Sequence, residues 1–104
     1  MSSGYALHPD AYKDIDGLWD YIGQDNPTAA DRVVHELFDA FDRLASSPNM
    51  GHRRPDLTSR PLRFWPVRDY LIAYAPDRQP LWVVAVLHGG RRPRVLASLL
   101  RSRQ

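Results

Sequence analysis

The feature that most constrains the fold is an apolar run in the second half of the chain, residues 81–87, which contains no polar residue. The run is short and includes three valines, and it is bracketed by Pro80 and by Gly89 and Gly90, so a strand is favoured over a helix. A strand without polar alternation has to be covered on both faces. We therefore predict that this segment is a central strand of a sheet.

Two amphipathic helices are predicted in the first half of the chain. Pro9 suits the first turn of a helix, and apolar residues then recur at helical spacing up to Ile22. Asn26 followed by Pro27 is typical of an N-cap and the first position of a second helix, whose wide apolar face reaches Leu44. The two helices are expected to form a hairpin that packs on a further apolar surface.

The side chains of this hairpin divide into an apolar and an acidic set. Trp19 and Phe41 are expected to be core aromatics. The acidic residues of the first helix and the following turn fall mostly on the outer side, where a solvated face is favoured over a carboxylate site. These residues are Asp14, Asp16, Asp20 and Asp25.

Further strands are expected on either side of the hairpin. After it, residues 62–67 and 70–74 read as two strands that precede the central run. Pro66 places the first of these two at a sheet edge, because proline cannot donate a ladder hydrogen bond. Before the hairpin, a weak alternation at residues 4–8 indicates one more strand.

The remaining segments complete the predicted architecture. Residues 50–61 are polar and are predicted to form a long surface loop, and residues 95–100 to form a short basic helix or a tail that packs only on binding. The order β-α-α-β-β-β, with a possible short C-terminal helix, indicates an α+β fold with the helical hairpin on a mostly antiparallel four-stranded sheet. We expect a single domain over residues 1–104.

The charges are sorted along the sequence, and this limits the possible partners. Residues 1–50 carry three basic residues against nine acidic ones, whereas residues 51–104 carry eleven arginines against three acidic residues. Arginine can bind a carboxylate or a phosphate through two parallel hydrogen bonds. The second half is therefore expected either to bind an anionic partner, nucleic acid or an acidic protein segment, or to form a solvated basic face.

Cysteine and histidine usage narrows the chemistry. The chain has no cysteine, so disulfides and thiolate metal sites are excluded. The four histidines are scattered, and for His8, His35 and His52 we expect no carboxylate or cysteine at ligand spacing, so neither a metal site nor a cofactor is expected. No segment approaches the roughly 20 apolar residues of a membrane span, and the N-terminus lacks the pattern of a secretion signal, so we expect a cytoplasmic protein with no membrane partner.

A series of short patterns extends over nearly the whole chain, from about Tyr5 to Leu100. In chain order they are Asp14-Ile15, Trp19-Asp20-Tyr21-Ile22, Asn26-Pro27, Ala29-Ala30, Arg32, Leu44-Ala45, Ser47-Pro48, Gly51, Arg53, Arg63, Tyr70-Leu71-Ile72, Tyr74, Val86-Leu87-His88-Gly89 and Arg91-Arg92. Each pattern is short, so the signal lies in their joint order and spacing. On this basis the chain resembles the ParE/RelE superfamily of bacterial toxins from toxin–antitoxin pairs, and specifically its ParE branch.

The resemblance implies a fold, a partner and a target. The implied fold is a helical hairpin packed on a mostly antiparallel sheet. The implied partner is a cognate, ParD-like antitoxin, whose C-terminal segment wraps the toxin in a hetero-oligomer. ParE-like members poison DNA gyrase and block replication, whereas RelE-like members cleave mRNA on the ribosome, so the choice between the two targets has to be argued from the residues.

The residues also bear on the choice between gyrase and mRNA. Metal-free RNA cleavage needs a base, an acid and cations around the phosphate, and RelE-like enzymes fill these roles with basic residues along the sheet and a C-terminal tyrosine or histidine. Here Leu71 stands at the position equivalent to the RelE-type arginine, no lysine follows Lys13, and neither tyrosine nor histidine follows His88. His88 is the remaining candidate base, although a strand-end cap with its ring bonded to a backbone carbonyl is the favoured interpretation.

The leading hypothesis is thus a ParE-type toxin that acts by binding and has no active site of its own. The alternatives are a ribosome-dependent mRNA interferase that uses His88 with Arg91 or Arg92, and an inactive relative that only binds its antitoxin. Target or antitoxin binding is predicted for Arg53, Arg54, Arg63, Trp65, Arg91, Arg92 and Arg94.

Overall fold

The computed structural model describes residues 4–103. Within these residues the fold is α+β, as predicted, and the segment after the last strand is a helix that packs on the sheet. A short 3-10 turn at Pro48–Met50 follows the second helix. The elements are β1 (Tyr5–Leu7), α1 (Pro9–Gly23), α2 (Pro27–Ser46), β2 (Arg63–Val67), β3 (Tyr70–Ala75), β4 (Leu81–His88) and α3 (Pro93–Arg101).

The sheet has the strand order β1-β4-β3-β2, so the apolar run forms a central strand as predicted. β1 pairs with β4 in parallel, and the other pairs are antiparallel. The edge position of β2 also confirms the interpretation of Pro66. Asn26 is the N-cap of α2, because its side chain accepts a hydrogen bond from the backbone N–H of Ala29 at 3.0 Å.

β4 is apolar on both faces and contains a β-bulge. Ala73 pairs with Ala85 and Tyr74 pairs with Val83, so Val84 has no partner in β3. Val84 and Ala85 therefore pack in the same apolar cluster, although neighbouring residues of a regular strand point to opposite faces. The sheet consequently needs a cover on each side.

The helical hairpin covers one face, and the other is covered by α3 and by the segment before β2. Phe41 is fully buried in the first cluster, as predicted. In the second cluster, Leu57 and Leu62 pack with Leu96 and Leu100 of α3. The prediction of a plain surface loop at residues 50–61 was therefore wrong for Leu57, because the face opposite the hairpin requires apolar cover that a nine-residue helix does not supply alone.

Trp19 was wrongly predicted to be a core residue. Its side chain is 43% exposed, and its indole N–H donates to Asp31 of α2 at 2.8 Å. Ile15 and Leu18 occupy the buried stripe of α1, and Trp19 lies at the margin of that stripe. The indole thus links the two helices at the surface, with its polar edge satisfied.

Asp14 was also wrongly predicted, since it is not part of a solvated acidic face. β1 ends at Leu7, and beyond that point the outer edge of β4 has no neighbouring strand. The Asp14 carboxylate accepts a hydrogen bond from the N–H of Val86 at 2.9 Å, and the Arg103 guanidinium donates to the carbonyl of Val84 at 3.3 Å. Asp14 and Arg103 also pair directly, at 2.5 and 2.9 Å, so their ion pair closes this edge.

Candidate functional site

A cleft of about 490 Å³ opens between α1, the end of β4 and α3. The apolar side chains of Leu18, Val86 and Leu99 line it together with the rings of Tyr21 and Tyr70. Burial raises the pKa of Tyr70, and the charge of Asp69 adds to this effect, so the phenol stays protonated at neutral pH. The cleft therefore offers an apolar wall with tyrosines beside it, which is the usual character of a site that accepts a side chain of a partner.

Cations surround this cleft. The side chain of Lys13 is 80% exposed, and its nearest acid is Asp10 at 3.9 Å. Arg91 is exposed and makes no ion pair or side-chain hydrogen bond within residues 4–103. The charge of Asp14, which also lines the cleft, is balanced by Arg103, whose pKa is raised mainly by its hydrogen bond to Asp14. The cleft thus favours a negatively charged partner segment.

A glycine in the middle of α1 keeps the cleft open. Gly17 is exposed, lines the cleft, and has nothing within 4 Å of the place where a Cβ would stand. Glycine inside a helix is destabilising by roughly 0.5–1 kcal/mol relative to alanine. No close contact inside the protein requires this glycine, so its effect is to leave room beside α1.

Replacing Gly17 by Ala is expected to stabilise the fold by about 0.5–1 kcal/mol, because it reduces the backbone freedom of the unfolded chain without creating a contact. Urea denaturation of the two proteins measures this difference. A destabilised variant would show that the position is strained or packed in solution.

His88 forms a cap at the end of β4, but with a different partner from the one predicted. Its Nδ1 accepts a hydrogen bond from the backbone N–H of Gly90 at 3.1 Å, rather than bonding a carbonyl. The ring also meets Tyr70 edge-on, with centroids 5.5 Å apart. Since an accepting Nδ1 carries no proton, the neutral ring holds its proton on Nε2 and presents a donor there. This arrangement opposes the use of Nε2 as a general base.

Two of the predicted binding arginines have partners within the protein. Arg54 donates two hydrogen bonds to the carboxylate of Asp56, at 2.9 and 2.8 Å. Arg63 donates to the carbonyl of Gly51 at 2.8 Å and so holds the segment that enters β2. By contrast, the other predicted arginines are exposed and make no such contact within the described residues. They are Arg53, Arg91, Arg92 and Arg94.

The predicted residues do not converge on one place. The register aligns Arg63 with Tyr74 and Val83 at one end of the sheet, and aligns His88 with Tyr70 at the other end. Trp65 packs against the cluster on the hairpin side and lines a separate groove with acidic residues of α2. Of the predicted residues, His88 and Arg91 line the cleft.

Sequence reasoning missed the α1 side of the cleft. Lys13, Gly17 and Tyr21 follow one another at a spacing of four residues and therefore share one helix face. The available signal was the glycine itself, which interrupts an otherwise well-formed helix. Tyr21 is 73% exposed, which is unusual for a large aromatic residue.

The part of the chain that the structure describes contains neither a cluster of metal ligands nor a membrane-spanning helix. Among residues 4–103, no three histidine, aspartate or glutamate side chains lie close enough together to hold a metal ion. None of the helices in that range is long and apolar enough to span a bilayer.

Comparison with known proteins identifies the family. The model of the family described as "ParE toxin of type II toxin-antitoxin system, parDE" matches residues 5–93. The match runs from β1 through β4 and ends where α3 begins. Among curated proteins, no significant match is found. Because the family model covers most of the chain, and the fold agrees with the one implied by the resemblance, the chain belongs to the ParE family of toxins from type II toxin–antitoxin systems.

Proposed function

We propose that this toxin arrests growth in the cytoplasm by binding DNA gyrase and trapping it on cleaved DNA, and that it is neutralised by a cognate antitoxin. The proposed action is binding, without a chemical step performed by the toxin itself. The complex with the antitoxin is accordingly a hetero-oligomer.

The proposal rests on the contacts of the side chains around the end of β4. The ring of His88, the candidate base, accepts a hydrogen bond from Gly90. Leu71, which stands where RelE-like enzymes have an arginine, packs against the second apolar cluster. The neighbouring arginines, in contrast, are exposed and without partners in the described residues. These features support a surface that grips an anionic partner more than one that cleaves RNA.

The cleft is suited to bind a segment of the antitoxin. An apolar or aromatic side chain of the antitoxin would contact Leu18 and Leu99, while acidic residues flanking it would pair with Lys13 and Arg91. Such a segment combines a buried anchor with charged neighbours, which is the arrangement that concentrates binding energy at interfaces. Antitoxin bound there would also cover the start of the arginine segment.

Gyrase poisoning is tested by adding the purified toxin to a supercoiling reaction. The expected result is linear DNA, released when the trapped complex is denatured, in an amount that rises with toxin concentration. Normal supercoiling at saturating toxin would contradict the proposal. If expression of the chain also caused no growth arrest, the remaining role would be that of an inactive relative that only binds its antitoxin.

One observation favours a second candidate, the mRNA interferase. The cleft gathers His88, Arg91, Lys13 and two tyrosines, which together could supply cations and a proton donor to an RNA phosphate. In cells expressing the toxin, transcripts cut at defined positions by the wild type and left intact by His88→Ala would support this candidate. Intact transcripts during growth arrest would exclude it.

A further inference from the structure

The last quarter of the chain carries an acid-free basic surface that begins beside the cleft. No acidic residue follows Asp77, whereas five arginines lie beyond residue 90. One of these, Arg103, is buried against Asp14. The other four lie in α3 or directly before it, and we call them the α3 basic face: Arg91, Arg92, Arg94 and Arg101. Arg91 also lines the cleft.

The four arginines of this face differ from most other arginines of the second half. Arg60 donates to the carbonyls of Leu100 and Arg103, and Arg68 pairs with Glu36 through two hydrogen bonds of 2.7 Å. The guanidinium groups of the α3 basic face are exposed and make no ion pair or hydrogen bond within residues 4–103. They are therefore available to an external anion and are not needed to hold the fold.

The helix arranges part of this face in a line. Arg94, Ser98 and Arg101 stand at positions i, i+4 and i+7, and all three are exposed, so they share the outer side of α3. With a rise of 1.5 Å per residue, Arg94 and Arg101 are about 10 Å apart along the helix axis. Ser98 adds a hydroxyl between them, and hydroxyls are common donors to phosphate.

The composition of the face distinguishes between anionic partners. Protein interfaces rely on buried aromatic or large apolar anchors, and here the exposed apolar residue is Val95, at 42% exposure. Single-stranded nucleic acid is bound with the help of aromatic rings that stack on the bases, and α3 contains none. Exposed arginines with a hydroxyl between them, and without an aromatic residue on the helix, fit the phosphate backbone of a duplex.

We propose that the α3 basic face binds the phosphate backbone of duplex DNA without reading its sequence. The toxin would then hold the DNA segment as well as the enzyme in a trapped gyrase complex. The choice of DNA over an RNA duplex rests on the proposed gyrase target. Binding of the duplex backbone itself follows from the face alone.

The test is fluorescence anisotropy of a labelled 30-base-pair DNA duplex of arbitrary sequence, titrated with the full toxin at several salt concentrations. With four phosphate contacts, the logarithm of the binding constant should fall against the logarithm of salt with a slope of about −3 to −4. A variant with all four arginines changed to Ala should lose this binding. Each single change to Ala should make the slope less negative by about one.

Two further variants control for folding and for charge. Arg32→Ala removes an exposed arginine from α2 and should leave the affinity and the slope unchanged. Arg92→Asp places an acid at the N-cap of α3, where Arg92 makes no capping hydrogen bond. It should keep or raise the melting temperature, because aspartate is a preferred N-cap, and yet should weaken DNA binding at least tenfold.

Several outcomes would overturn the proposal. The first is the absence of DNA binding by the wild type at low salt. The second is a loss of binding in Arg32→Ala as large as that in the quadruple Arg→Ala variant, and the third is retained binding in the quadruple variant. Displacement of the DNA by a polyglutamate peptide with higher affinity would assign the face to an acidic protein instead, and tighter binding of an RNA duplex would overturn the choice of DNA. Gyrase is not present in this measurement, so a negative result leaves the supercoiling test of the proposed function unaffected.

Discussion

Replacing Asp14 by Ala is expected to destabilise the fold by about 3 kcal/mol, because it leaves the largely buried charge of Arg103 with only the more distant carboxylate of Asp10, at 3.9 Å. The N–H of Val86, at the outer edge of β4, would also lose its acceptor. The carboxylate thus binds two groups that water reaches poorly, since the side chain of Arg103 is only 9% exposed and Val86 only 3%. Urea denaturation followed by circular dichroism measures the change.

The control for this prediction is another acid of the same helix. The side chain of Asp16 is exposed and makes no ion pair or hydrogen bond in the described residues, so Asp16→Ala should shift the stability by no more than about 0.5 kcal/mol. Asp14→Asn keeps an acceptor for Val86 and should be less damaging than Asp14→Ala. In a double-mutant cycle, the variant that carries both Asp14→Ala and Arg103→Met should lose less stability than the two single variants lose together. Equal stability of Asp14→Ala and wild type would disprove the role of this pair.

The main elements of the fold were predictable because their causes are local. The apolar run of β4 and the turn residues around it fix a strand that must lie inside a sheet. Asn26 and Pro27 determine the start of α2 through the capping hydrogen bond to Ala29. These signals lie within a few residues of the structure that they determine, so no knowledge of the tertiary fold is needed.

The errors concern residues whose environment is set by distant parts of the chain. Asp14 and Arg103 are 89 positions apart, and the helical pattern around Asp14 does not show that β1 is too short to cover the edge of β4. Leu57 is an isolated apolar residue in a polar segment, and its burial depends on contact with α3 and with the second apolar face of the sheet. The bulge at Val84 could not be predicted either, because the apolar sequence of β4 is uninterrupted there.

Part of the candidate site could also be predicted from the sequence, and part could not. The arginines after β4 could be located from the sequence, because three of them lie within four residues directly after a predicted strand end. The cleft could not be located, because it forms only where α1, β4 and α3 meet. Within α1, Gly17 was the one local sign that this helix contributes to a binding surface.

Gly17 therefore provides the sharpest test of the cleft. Gly17→Trp is expected to weaken antitoxin binding roughly 100-fold, about 2.8 kcal/mol, because the indole would take the space proposed for the anchor of the antitoxin. The measurement is a calorimetric titration of the purified toxin with its cognate antitoxin, which we expect to be encoded beside the toxin gene. It does not depend on toxicity, so it separates antitoxin binding from the action on the target.

Gly17→Ala is the matched control for this change. A methyl group at this position has nothing within 4 Å, so this variant should bind the antitoxin within about twofold of the wild type while its melting temperature rises. Both variants should remain folded, since the position is exposed and lies inside a regular helix. If Gly17→Trp binds the antitoxin as tightly as Gly17→Ala does, the antitoxin occupies another surface. The room beside α1 would then have to be explained by the target of the toxin.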